Sequence, residues 1–169
     1  EEDDLIQEQE VAVTMTHLGY VKRVASNTYK TQKRGGKGIT GLTTRENDFV
    51  RRFTITSTHN YLLFFTNRGK VYRMKAYEIP EAKRHAKGTP IVNLLDLKHG
   101  EKVTAMIPIK SFDKDKYLMS VTKKGVIKKT ELSQFDTSRK SGIIVINLKE
   151  DDELIGVQET QGNSDVIIV

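Results

Sequence analysis

Between Gln32 and Gly38 the chain reads QKRGGKG, three cations and three glycines in seven residues. Together these residue types do one kind of chemistry. Lys33, Arg34 and Lys37 attract an anion, while Gly35, Gly36 and Gly38 let the backbone approach it closely with successive N–H groups turned the same way. The expected ligand is a phosphate. The stretch is not a nucleotide-binding P-loop, because Lys37-Gly38 lacks the GK[ST] order and the helix that should follow. A loop whose glycines confer only mobility is the plainer alternative, and the heptapeptide by itself does not choose between them.

The same cations return in step. At an offset of 50 residues, Lys33, Arg34, Lys37 and Gly38 match Lys83, Arg84, Lys87 and Gly88 one for one. Gly35-Gly36 becomes His85-Ala86, so the charges are shared and the glycine pair is not. A shorter stretch, RKSG, offers Arg139 and Lys140 ahead of Gly142. A second set of cations follows Gly19, Gly69 and Gly125, which are 50 and 56 residues apart. Four residues after each glycine stands Arg23, Arg73 or Lys129, with Lys22 and Lys128 beside the first and third and Tyr72 in that place in the second. Scattered solvating charges do not recur at one phase of a repeat. Set side by side, such units form a basic stripe able to follow a phosphate backbone.

Catalysis has little to work with. Cysteine is absent, which excludes disulfides, thiolate metal sites and thiol nucleophiles. His17, His59, His85 and His99 lie in or near turns without metal-ligand spacing, and His17 and His59 read as surface residues. The acidic run EDDE from Glu150 falls at the phase of the other polar turns and reads as a solvated turn rather than a metal site. No GxSxG elbow is present. Tyr20, Tyr29 and Tyr72 have no activating neighbour in sequence, so they are expected to pack or to lie beside the basic stripe. No catalytic residue, metal or cofactor is expected in the chain.

The elements that must carry these loops are strands. THLGYVKR from Thr16, TNRGKVYR from Thr66 and TKKGVIKK from Thr122 are each preceded by an apolar run: VAVTMT, YLLFFT and YLMSVT. Two such runs separated by two or three residues ending in Gly predict a hairpin. Val21, Val71 and Ile127, two residues past the glycines, are predicted core positions. Strict alternation puts the cations Arg23, Arg73 and Lys129 on the same face, so the strand is expected to leave the core there. After each basic loop comes an apolar run, TPIVNL or IIVINL in the second and third cases. A polar turn and a last strand follow, in ENDFVRRFTI, HGEKVTAMIPI and EDDELIGVQ. Each repeat reads as strand, tight turn, strand, basic loop, strand, polar turn, strand. Three repeats occupy about 11–58, 59–111 and 112–160, and 161–169 opens a fourth. The prediction is an all-β, propeller-like array of four-stranded blades, about three complete plus the first strand of a fourth. LSQFDTSRK and KAYEIPEAK each allow one helical turn, and Pro80 stops the second.

Charge is unevenly spread. The first ten residues hold six acidic groups and no basic one, and the remainder carries 28 basic against 16 acidic groups, a net of +12. This predicts an acidic linker at 1–10 and a polyanion-binding body at 11–169. No stretch has the run of about 18–20 apolar residues that a membrane helix needs. No secretory leader is expected, and a cytoplasmic protein fits best.

At this point the residues resemble a known family. QKRGGKG looks like the basic heptapeptide, Q-[RK]-R-G-G-[RK]-G, of the C-terminal DNA-wrapping domain of the DNA gyrase A family. It lies between GYVKR and GITGL, which resemble that family too. The leader EDDLIQEQEVAVTMTHLGYVKR is similar to the family's passage from its cleavage-reunion core. The related topoisomerase IV subunit usually carries a degraded heptapeptide. The resemblance implies a β-pinwheel, usually of six blades, with double-stranded DNA wrapped around a basic outer rim. It implies a gyrase A subunit paired with gyrase B in an A2B2 heterotetramer, acting on the bacterial nucleoid in the cytoplasm. ATP, Mg²⁺ and the active-site tyrosine belong to other parts of that holoenzyme. Gln32 to Gly38 would then be needed for wrapping, with Lys22, Arg23, Arg73, Lys83, Arg84, Lys87, Lys128, Lys129, Arg139 and Lys140 as further DNA contacts. Two rivals are a propeller-type module that binds an acidic protein and the equivalent domain of topoisomerase IV.

Overall fold

The computed structural model describes residues 2–27, 47–137, 139 and 141–161. Gln32 to Gly38, Tyr29, Lys140 and the start of the expected fourth repeat therefore lie outside the described residues.

The apolar runs form the inner strands. β1 (Glu10–Thr16) and β4 (Tyr61–Thr66) each bury at least five consecutive residues, so both faces are covered and the strand reads as a continuous apolar run. β1 continues through a tight turn into β2 (Tyr20–Ala25), and β4 likewise into β5 (Lys70–Lys75). β8 (Lys116–Thr122) leads into β9 (Ile127–Glu131) in the same way. Each turn is closed by the amide of Gly19, Gly69 or Gly125 donating to the carbonyl of Thr16, Thr66 or Thr122, all at 3.0 Å. The threonine side chain helps: Oγ1 accepts from Tyr20 N, Arg68 N or Val126 N in the three turns. The three glycines have φ of +92°, +76° and +90°, the left-handed region the hairpin requires.

Three further strands, β3 (Val50–Ser57), β7 (Val103–Ile109) and β11 (Leu154–Gln161), flank β1, β4 and β8. The short β6 (Thr89–Pro90) and β10 (Ile143–Ile144) complete two of the sheets. The antiparallel sheets have the orders β3-β1-β2-β6, β10-β5-β4-β7 and β11-β8-β9. Repeat and sheet are thus offset by one strand. β6 follows the second basic loop in sequence, yet it pairs with β2 of the first repeat, Val21 against Thr89 and Tyr20 against Pro90. β10 follows the third basic loop and pairs with β5, Val71 against Ile143. The amides of Ile91 and Val145 extend these pairings to the carbonyls of Gly19 and Gly69, both at 2.8 Å.

This offset corrects one expectation. Val21 and Val71 are fully buried, as expected of core positions, but Ile127 is 51% exposed. The difference is the borrowed strand: β2 and β5 are each covered on their outer edge, and among the described residues nothing pairs beyond β9.

The chain divides into two compact units, Glu1–Tyr61 with Met74–Asp96 and Leu62–Arg73 with Leu97–Val169. Val11, Val13, Val21 and Ile79 centre the core of the first, and Leu62 to Phe65, Val71, Leu118 and Leu154 that of the second. The two short helical turns occur as 3-10 turns at Ala76–Glu78 and Leu132–Phe135.

The acidic leader, expected as a linker, makes contacts within the first unit. Its short helix α1 (Glu2–Leu5) brings Asp3 within 3.0 Å of Lys75. Thr58 donates through its amide to Gln9 O and through Oγ1 to Gln7 O, and its hydroxyl oxygen accepts from Gln9 N. His59 Nε2 donates to the carbonyl of Ile6 at 2.7 Å.

Candidate nucleic-acid interface

The second basic loop, Glu81 to Gly88, is built on β2 from the backbone outward. Arg23 N donates to Pro80 O and Ala82 N donates back to Arg23 O, so the chain enters the loop alongside the strand. Ala86 N closes a turn onto Lys83 O at 2.9 Å. Lys83 and Lys87 are exposed and Arg84 is half-buried. The Lys87 ammonium lies 4.2 Å from the centre of the Tyr20 ring, a cation–π contact that keeps a long side chain in place at an exposed site. In the second unit, Lys129 is held the same way 4.4 Å from the Tyr117 ring, with Lys128 exposed beside it. Arg139 is exposed and folds onto its own loop, donating to the carbonyls of Ser141 and Gly142.

The other expected contacts turn inward. Arg73 is 8% exposed, and its guanidinium donates to the carbonyls of Phe135 at 3.1 Å and Thr137 at 2.6 Å. Arg23 is half-buried and donates to Ile79 O at 2.8 Å and Tyr77 O at 3.4 Å. Ile79 and Phe135 are equivalent residues of successive repeats, so the two arginines do the same job: each reaches from one repeat to the 3-10 turn ahead of the next basic loop. Lys22 is 5% exposed and hydrogen-bonds three carbonyls of the second loop. Burial lowers its pKa, with the nearby Arg84 charge adding to the effect. The strand therefore does not leave the core at Arg23 and Arg73. A long cationic side chain satisfies the face's apolar requirement with its stem and places its head on backbone carbonyls. Of the expected contacts, Lys83, Lys87, Lys128, Lys129 and Arg139 are presented to solvent, Arg23 and Arg84 are half-buried, and Lys22 and Arg73 are buried.

The polar turns hold buried carboxylates that sequence reasoning took for solvated. Asp48 Oδ1 accepts from the amides of Leu18 and Phe49, and Asp152 Oδ1 from those of Lys124 and Glu153, each at 2.9 Å. For both, burial pushes the pKa up, and hydrogen bonds from Thr16 or Thr122 and from these amides outweigh it and bring the pKa below the usual carboxylate value. In the second repeat Glu101 accepts from Thr66 Oγ1 at 2.7 Å and from Tyr72 Oη at 3.1 Å. Tyr72 is thus a packed residue with a satisfied hydroxyl. His17 is exposed and stacks on Phe49 at 4.8 Å. Among the described residues no group of His, Asp and Glu is arranged to hold a metal ion. Nor is any helix among them long and apolar enough to cross a membrane.

Repeated antiparallel sheets, two of them finished by a short strand from the next repeat, define a β-propeller module of the pinwheel kind. The chain belongs to the DNA gyrase C-terminal domain, beta-propeller family, whose pattern it matches over residues 10–57, 60–110 and 116–161. It is 56% identical over 167 residues to the DNA gyrase A subunit of Clostridium acetobutylicum and 51% identical over 168 residues to that of Halalkalibacterium halodurans. In both cases 99% of this chain is covered but only 20% of the relative, so the chain spans about a fifth of their length. Among solved structures, the C-terminal domain of a DNA topoisomerase IV superposes with a TM-score of 0.78 at 29% identity, covering 92% of this chain and 47% of that one. A DNA gyrase A C-terminal domain superposes with a TM-score of 0.65 at 25% identity, covering 90% of this chain and 48% of that one.

Proposed function

We propose that the chain binds double-stranded DNA through its phosphates, without base preference, and bends it as the wrapping module of a gyrase-type topoisomerase. The observation that carries this reading is the return of solvent-facing cations at one phase of the repeat: Lys83 and Lys87 on the second loop and Arg139 on the third. Aromatic support under Lys87 and Lys129 adds to it. The heptapeptide from Gln32 to Gly38 carries the matching cations of the first repeat in sequence. In the holoenzyme the chain would work beside the rest of gyrase A and gyrase B. ATP and Mg²⁺ would act elsewhere, in the bacterial cytoplasm on nucleoid DNA. The topoisomerase IV likeness supports the equivalent domain of that enzyme as a second reading. The complete heptapeptide and the gyrase relatives favour the first.

The test is topological. The chain is incubated with relaxed circular DNA and a nicking-closing enzyme, and the linking number is read after deproteinisation. A positive shift proportional to bound protein supports wrapping. Tight binding with no shift reduces the module to an anchor, and no binding removes the DNA reading in favour of an acidic protein partner. Replacing Lys33, Arg34 and Lys37 with Ala is expected to reduce bending more than the same change at Lys83, Arg84 and Lys87. Equal losses would show that the glycine-containing loop has no special part.

A further inference from the structure

Lys22 lies beneath the second basic loop. Its Nζ donates to the carbonyls of Arg84 at 2.5 Å, Ala86 at 2.8 Å and Lys83 at 3.3 Å. An ammonium has three N–H groups, so these acceptors engage every donor it has and leave none for a phosphate. All three acceptors belong to the segment that carries Lys83 and Arg84. That loop concentrates like charges, which repel one another and favour an open conformation. Drawing three of its carbonyls to one inward point opposes this opening and keeps Lys83 and Lys87 facing solvent. The equivalent position is filled by Tyr72 in the second repeat, which donates to Glu101, and by the exposed Lys128 in the third. The third basic loop is also two residues shorter than the second. Among the described residues, then, a buried ammonium is matched to the loop long enough to surround it.

We propose that Lys22 is a positioning residue for DNA binding, a buried cation that shapes the second basic loop and never touches the phosphates itself. The proposal rests on the DNA-binding reading above. It separates two roles that look alike in sequence: a lysine that contacts DNA and a lysine that holds such lysines in place.

The salt dependence of binding distinguishes them. Removing one phosphate-binding cation lowers the slope of log affinity against log salt by about one. Lys83→Ala should show that decrease. Lys22→Met, which keeps the apolar stem, should weaken DNA binding about fivefold to tenfold through the cost of reordering the loop, with the slope unchanged. Its amides at 83–88 should exchange hydrogen faster while those of β1 and β3 do not change. A slope lowered by about one in Lys22→Met, or unaltered exchange at 83–88, overturns the proposal.

Amine acylation of the unaltered chain tests the same point should Lys22→Met fail to fold. Lys22 should react at least about tenfold more slowly than Lys83 and Lys87, with or without DNA, because acylation requires the loop to open. DNA should protect Lys83 and Lys87. Equal reactivity of Lys22 and Lys83 in the free chain overturns the proposal. Slow Lys22 without protection of Lys83 and Lys87 would instead remove the DNA reading, and the proposal with it.

Discussion

Arg73 is a cation whose charge serves the fold. Its guanidinium bridges the carbonyls of Phe135 and Thr137 at the mouth of the third loop. Asp136, 3.8 Å away but with a side chain 67% exposed, adds little. Arg73→Ala leaves the buried Phe135 carbonyl without its donor and frees the Thr137 carbonyl, and should cost about 1–3 kcal/mol in chemical denaturation. Arg73→Lys should recover only part, since one ammonium does not reproduce the fork. Asp48 and Asp152 predict a pH effect. Both have pKa values lowered by folding, so the stability they confer is complete above the unfolded value of about 3.9 and is lost as pH falls through the folded one. The double variant Asp48→Asn, Asp152→Asn should be less stable at neutral pH and lose less on acidification. Urea denaturation at neutral pH and between about pH 4 and pH 2 checks this, and an unchanged acid dependence would assign the acid response to other carboxylates.

Strands lent between repeats set the second scale. The carbonyl of Ile146, one residue past the β10 extension, lies 2.6 Å from where a Gly69 Cβ would sit, whereas nothing among the described residues lies within 4 Å of the Gly125 position. Both backbones are left-handed, so Gly125→Ala should cost about 1–2 kcal/mol for conformation alone. Gly69→Ala should cost at least about 1 kcal/mol more, because the borrowed strand must shift. Similar losses for the two would mean that this strand is loosely held. Thr58→Val, which cuts the leader's ties to Gln7 and Gln9, should lower stability by about 2 kcal/mol and raise protease access to the leader.

The hairpins, the three-fold repeat and the 3-10 turns at Ala76–Glu78 and Leu132–Phe135 were legible in sequence, whereas the 3-10 turn at Ile91–Asn93 falls where TPIVNL reads as a strand. The destination of β6 and β10 was not legible either. Pairing with the preceding repeat depends on long-range register, and TPIVNL carries no local mark of its partner.

Charge sets the scale of the whole molecule. A net of +6, with six acidic groups gathered in the first ten residues, leaves a strongly basic body suited to a polyanion. The phase of the cations was legible, but their division of labour was not. Recurrence arises equally from a repeated ligand contact and from a repeated structural bond, and Arg23 and Arg73 are the second kind. Tyr20 was expected to pack or to lie beside the basic stripe, and it does sit under Lys87. Tyr117 escaped notice because it opens an apolar run and has no counterpart when the repeats are aligned on their glycines.

The most direct test of the central claim is the salt dependence of DNA affinity for the unaltered chain and for Lys83→Ala, Arg84→Ala, Lys87→Ala combined. Binding should weaken steeply with salt and be nearly equal for duplexes of different sequence, and the triple variant should lose about 2–3 from the slope. Salt-insensitive affinity, or a slope the triple variant leaves intact, would contradict it.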